Sequence, residues 1–486
     1  MLPTLIVMAA DEDEWNVQDH ILHQCVRQGE RQGAEWALQH GANVNAMLNG
    51  TIPLLIAINR NDRRMIHLLV IDYEANVCLA NAEDDTTPLM AAAALDTDSP
   101  ILIQRLIEQG AAVNVVAAKG NGASALAIAA VHGHGAAVQV LLSHNASVHL
   151  RDKNGATPLM LAVFAGHIEV VKQLIQYGAN VRTPLTSGLT AVMMAAAGQH
   201  AHVVKLVVDR GASVDGTVRA GNVLDKPTAC SALMFAIERG FEAMADTLIA
   251  LGADVNLACP SNGFTALMAA ARSGKENLVK RLLQAGVDVN AFATYPFAST
   301  QLTALMMALE EEYVHVAEIL LNHGGIDYSL CVDANDEHYT VLGMAIEHGY
   351  DAIVAQMMAQ GAPYGYYELI VAAEAGHEEI VILLLEHGVQ VNPSREFLLE
   401  DSSSQQVRQY SSSSKDIPNV YVYTPLMAAV ANDHENLVKI FLNHGADIHL
   451  QDSNGMTAAI IAKRHGFDQI HQLLEAHAGR DVGRQT

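Results

Sequence analysis

One block of about 33 residues recurs along this chain, carrying Thr-Pro-Leu-x-x-Ala, then Gly-His, then Leu-Leu-x-x-Gly-Ala-x-Val. Its clearest copy runs from Gly155-Ala156-Thr157-Pro158-Leu159 through Gly166-His167 and Leu174-Ile175 to Gly178-Ala179-Asn180-Val181. A fixed period of this size predicts a stack of small units, none of which can bury its own apolar face, so each leans on its neighbours. A single central core is excluded, and the 486-residue length no longer argues for two or three globular domains.

Each position in the block has a physical job. Thr157 caps a helix with its hydroxyl, and Pro158 fits the first helical position, where a missing N–H costs nothing. Leu159, Ala162 and Val163 place an apolar stripe on that helix. Gly166 ends it in a left-handed conformation and His167 opens the next. Val170, Val171, Leu174 and Ile175 form one face of the second helix, and Gly178 closes it before an extended turn.

These residues resemble the ankyrin repeat, and the resemblance covers nearly the whole chain. Variants of the opening triplet stand at Ile52, Thr87, Ser124, Thr157, Thr190, Ser231, Thr265, Thr303, Thr340, Thr424 and Thr457. A degenerate copy lies at Glu368-Leu369-Ile370, and residues 19–45 look like an N-terminal capping unit. The resemblance implies an all-α ankyrin-repeat solenoid of about 13 helix-turn-helix units joined by extended turns. The expected organisation is a tail or start of a cap at 1–18 and repeats with their cap over 19–392. A serine-rich flexible insertion follows at 393–420, then C-terminal repeats and cap over 421–479, and a tail at 480–486.

Composition narrows the function classes. The formal charge is −25, from 28 basic and 53 acidic residues, which disfavours nucleic-acid backbones and anionic membranes and favours partners with a basic surface. The same charge keeps a long stack soluble and monomeric. Cys25, Cys78, Cys230, Cys259 and Cys331 show no paired spacing, which reads as a reducing compartment. No apolar run approaches a membrane span. Met90, Met160, Met193, Met234, Met268, Met306 and Met427 follow the opening triplet as a row that fills space between helices. Most of the 23 histidines occupy repeat positions, such as His40, His323, His387 and His444 at helix ends. No metal-ligand spacing, nucleophile elbow, phosphate loop or dinucleotide fingerprint is present, so no catalytic residue, metal or cofactor is expected.

Departures from the period mark candidate contacts, because loops on a rigid scaffold carry specificity. The spacing of 33 between Thr157 and Thr190 stretches to 41 between Thr190 and Ser231, through a turn containing Arg219. A second long turn carries Phe292, Tyr295 and Phe297, and a third follows Gly325. Around a shortened turn stand Tyr364, Tyr366 and Tyr367, and Tyr421 and Tyr423 follow the serine-rich insertion. Tyrosine offers large contact area at low entropic cost, so these nine residues are the candidate partner contacts. Gap-filling by the same rings is an equal alternative.

The resemblance implies a protein-protein interaction module that binds one or more proteins through its concave face and turn tips. Chains built wholly of such repeats, with Met after Thr-Pro-Leu, look like bacterial or viral ankyrin proteins. That implies an effector or inhibitor role in the cytoplasm, or in a host cell after delivery by a specialised secretion machine. Two readings stay open beside it: an enzyme with an unrecognised active site, and a structural spacer. Asn256 and Asn290 also resemble turn asparagines that are hydroxylated in other ankyrin proteins.

Overall fold

Ten of the first helices begin at a recurring Thr or Ser, whose side-chain oxygen satisfies a backbone N–H that the opening turn leaves unpaired. In the computed structural model, Thr157 Oγ1 accepts from the Met160 N–H at 3.4 Å. Thr87, Ser124, Thr190 and Ser231 make the same bond, as do Thr265, Thr303, Thr340, Thr424 and Thr457. The structure describes residues 16–217, 230–294, 301–333, 336–393, 423–452 and 454–482. Among them lie thirteen helix pairs, divided between two compact units, Met1–Asp254 and Val255–Thr486.

The N-terminal unit holds the first seven pairs, from Val17–Gln28 with Arg31–Gln39 to Ala232–Glu238 with Glu242–Ala250. First helices pack on first helices, and second helices line the other side. The row Met90, Met160, Met193 and Met234 is buried between them, so these side chains are core. Two features interrupt the regularity. The second helix of the second repeat, Arg63–His67, passes into a π-helical turn over Leu68–Asp72. In the third repeat, six residues separate Pro88–Ala93 from Pro100–Glu108, where two separate Pro158–Ala165 from Ile168–Gln176. Cys25 and Cys78 are free thiols, whereas Cys230 is disulfide-bonded, a state that its wide spacing from the other cysteines conceals in the sequence.

The C-terminal unit holds six pairs, from Ala266–Arg272 with Glu276–Gln284 to Ala458–His465 with Asp468–Val482. Its last helix runs three residues into the stretch read as a tail. Met268, Met306 and Met427 are buried. Two extended turns become antiparallel ribbons: Phe292–Thr294 pairs with Gln301–Thr303, and Cys331–Asp333 with Asp336–Thr340. In the first ribbon Ala293 is buried between exposed Phe292 and Thr294, the alternation a half-covered strand requires. The eleventh repeat lacks the Thr cap. There the Gly365 N–H donates to Glu368 Oε2 at 2.8 Å, and the helix Tyr366–Ala375 starts from that reach-back. Val341–Glu347, Tyr366–Ala375 and Pro425–Ala431 pack in succession, so the stack continues across the serine-rich insertion. Nearly all of that insertion lies outside the described residues.

Candidate partner-binding surface

Two ladders of hydrogen bonds hold neighbouring repeats in register and thereby position every exposed side chain. At the turns, an asparagine reaches the next repeat: Asn290 Oδ1 accepts from the Asp327 N–H at 2.8 Å while its Nδ2 donates to Gly325 O at 2.8 Å. Asn256 does the same toward Asp288 and Gly286, and Asn114 toward Ser147 and Asn145. Asn392 bonds Asp447 and Gly445 across the insertion. Between helices, the histidine that opens a second helix bonds back to the preceding repeat. His167 Nε2 lies 3.0 Å from Val131 O and His200 Nε2 3.1 Å from Phe164 O. In the C-terminal unit His377 meets Glu347 O at 3.0 Å and His434 meets Glu374 O at 3.1 Å. Glycine is required opposite these rings: Gly166 has φ 82°, and a Cβ there would sit 2.5 Å from the His200 ring.

The second ladder fixes an exposed acidic stripe. Glu310, Glu347 and Glu374 each stand two residues before the positive-φ residue that ends a first helix, namely Glu312, Gly349 and Gly376. Packing of successive first helices therefore places them at one level, all exposed. Although Glu374 is exposed, partial desolvation of its carboxyl by the surrounding helices, and secondarily the charge of Glu347, push it above its ordinary pKa. Tyr423, 38 % exposed, stands at the end of this stripe. Its hydroxyl is pushed up to about 12, first by burial and then by Glu374 and Asp452. Asp452 is itself buried and accepts from the Asn454 and Met456 N–H groups at 2.9 and 2.8 Å.

The sequence candidates are placed as follows. Phe292 is exposed on the first ribbon, and Tyr364 is exposed beside the His387 ring, with centroids 6.2 Å apart. Tyr367 is half-buried. Tyr366 is only 9 % exposed, and burial raises its hydroxyl above the usual phenol range, so its ring belongs to helix packing. Tyr423 meets the acidic stripe, whereas Phe292 and Tyr364 sit on turns of different repeats. Arg219, Tyr295, Phe297 and Tyr421 lie outside the described residues. The stripe itself was readable only as a shared offset from the helix-ending residue, a signal hidden because Glu310 falls in a run of three glutamates.

Among the described residues, no group of three or more His, Cys, Asp or Glu is placed to hold a metal ion. Nor is any described helix long and apolar enough to cross a membrane.

Comparison with known proteins agrees with this architecture. The family "Ankyrin repeats (3 copies)" matches residues 54–152, 89–184, 146–218, 170–259, 218–293 and 397–486, and "Ankyrin repeat" matches 364–395. With most of its length so matched, the chain belongs to the ankyrin repeat family, whose members are generally protein-protein interaction modules. It is similar to an ankyrin repeat-containing protein of Treponema pallidum (strain Nichols), 30 % identical over 130 residues, covering 25 % of this chain and 36 % of the relative. It is also similar to the ankyrin repeat protein YahD of Escherichia coli (strain K12), 31 % identical over 118 residues, covering 23 % of this chain and 47 % of the relative. The chain thus spans between a third and a half of these curated relatives.

Proposed function

We propose that this chain is a protein-binding scaffold whose C-terminal unit holds a basic segment of a partner along Glu310, Glu347 and Glu374, with Tyr423 as the aromatic anchor. The observation that carries this reading is the electrostatic setting of Tyr423, whose ring stands in the field of Glu374 and Asp452. A partner Lys or Arg seated there gains both carboxylate attraction and the face of the ring. It also relieves the repulsion between Glu347 and Glu374. The net charge of −25 steers such a partner toward the surface. Phe292, Tyr364 and Tyr367 widen the contact on the turn side, with Tyr295, Phe297 and Tyr421 expected there from sequence, and Arg219 is a separate expected contact of the N-terminal unit.

An effector or inhibitor role is the narrower form of the proposal, favoured by the bacterial origin of both relatives. Cytoplasmic placement, expected from the cysteine spacing, stands against the bonded Cys230. Non-reducing electrophoresis of freshly extracted protein checks that placement, since a bonded Cys230 there would assign an oxidising compartment.

The binding test is a titration of a fluorescent Arg- and Lys-rich peptide into the full chain and into Glu347→Gln/Glu374→Gln, at low and high salt. The expected result is affinity that falls about tenfold in the variant and falls with salt in the parent. Equal affinity in both proteins would sink the assignment of the stripe.

A further inference from the structure

A second surface, in the N-terminal unit, has different chemistry. Second helices of consecutive repeats pack closely from the third repeat to the fourth and from the fourth to the fifth, and less closely from the second to the third. In the six-residue link before Pro100, Asp98 accepts from the Ala136 and Ala137 N–H groups of the fourth repeat at 2.8 and 2.9 Å. That cap ties the link before Pro100–Glu108 to the fourth repeat. On the facing side, the π-turn Leu68–Asp72 carries Val70 and Ile71 toward the gap.

The result is a groove of about 440 Å³ between the two helices. Ile66, Val70 and Leu106 form its buried floor, while Ile71 and Ile101 stand 42 % and 67 % exposed at its rim. It extends from Arg63 to Ile71 along one helix, a rise of roughly 12 Å, which suits about two turns of a bound helix. Its charges are one-sided. Asp98 is occupied by backbone amides, and Asp72 lies 3.9 Å from Arg31 and 3.7 Å from His67. Arg63 and Arg105 are exposed in the lining and make no ion pair among the described residues.

The geometry points to a docking groove for an acidic amphipathic segment of a partner protein, seating aliphatic side chains on Ile66, Ile71 and Ile101 and carboxylates on Arg63 and Arg105. Charge complementarity commits the occupant: two free guanidiniums beside an apolar floor, on a chain that is otherwise strongly acidic, select against basic segments that the rest of the surface attracts. This surface does not depend on the C-terminal stripe.

The test is selection of a displayed library of random 12-residue peptides on the full chain, followed by fluorescence polarisation of the enriched peptides against Ile101→Asp and Arg63→Glu/Arg105→Glu. Both sets of side chains are exposed, so the variants keep the fold. The expected consensus pairs aliphatic residues at helical spacing with Asp or Glu, and each variant weakens it about tenfold or more. Enriched peptides that are indifferent to Ile101, or that are basic, overturn the proposal. So does an Ile101-dependent dimer in sedimentation, which would give the groove to a second copy. A synthetic peptide of residues 2–14 that competes fully for the groove overturns it equally, assigning the surface to this chain's own N-terminal segment.

Discussion

His23 shows how one side chain sets a pH dependence for the stack. It is 3 % exposed, and burial holds its pKa below the ordinary 6.5 although Nε2 bonds Ala46 O at 2.8 Å. The folded chain therefore keeps the ring neutral where the unfolded chain takes up a proton. That stability is fully present above pH 6.5 and is lost as pH falls through the depressed folded value. Thermal melts at pH 7.5 and 5.5 should show a larger acid loss for the parent than for His23→Gln. Glu374 works in the opposite direction: its raised pKa means its charge disappears above the usual carboxylate range on acidification. Binding of a basic peptide should weaken early as pH falls, and Glu374→Gln should abolish that step in a pH titration of affinity. Gly166→Ala should cost more than about 1 kcal/mol in denaturant melts, because φ is positive and the new methyl meets the His200 ring.

At the scale of elements, what was legible in the sequence was what each repeat does with its own residues. Thr157, Pro158, Gly166 and Gly178 act within a few positions of themselves, so capping and helix ends follow from local chemistry. The histidine bridges were not legible, since His167 needs Val131 of the repeat before it to have a meaning. The Glu368 reach-back that replaces the Thr cap was equally hidden, because a glutamate inside a helix reads as surface charge. The ribbons at Phe292 and Cys331 were seen only as long turns, as their pairing depends on the turn closing. Two elements give direct checks. Thr157→Ala should remove about 1 kcal/mol by unpairing the Met160 N–H. Asn290→Ala, which deletes both bonds to the ninth repeat's turn, should cost about 1–2 kcal/mol in the same melts.

On the scale of the whole molecule, stability is a chain of neighbour contacts, and the bonds from Asn392 to Asp447 and from His434 to Glu374 join the eleventh and twelfth repeats without using the insertion. Replacing residues 394–422 with a short turn should leave the melting temperature and helical circular dichroism within error of the parent. The pairing of a side-chain-free residue with the ring that follows it has a further effect on how such a chain can lengthen. The fifth repeat presents His167 backward and Gly166 forward, so a duplicate can follow it with no clash. The sixth presents His200 backward but Gln199 forward, and a duplicate would press its histidine onto the glutamine side chain. At this contact, therefore, the fifth repeat tolerates tandem copying as it stands, whereas a copy of the sixth needs a side chain to move.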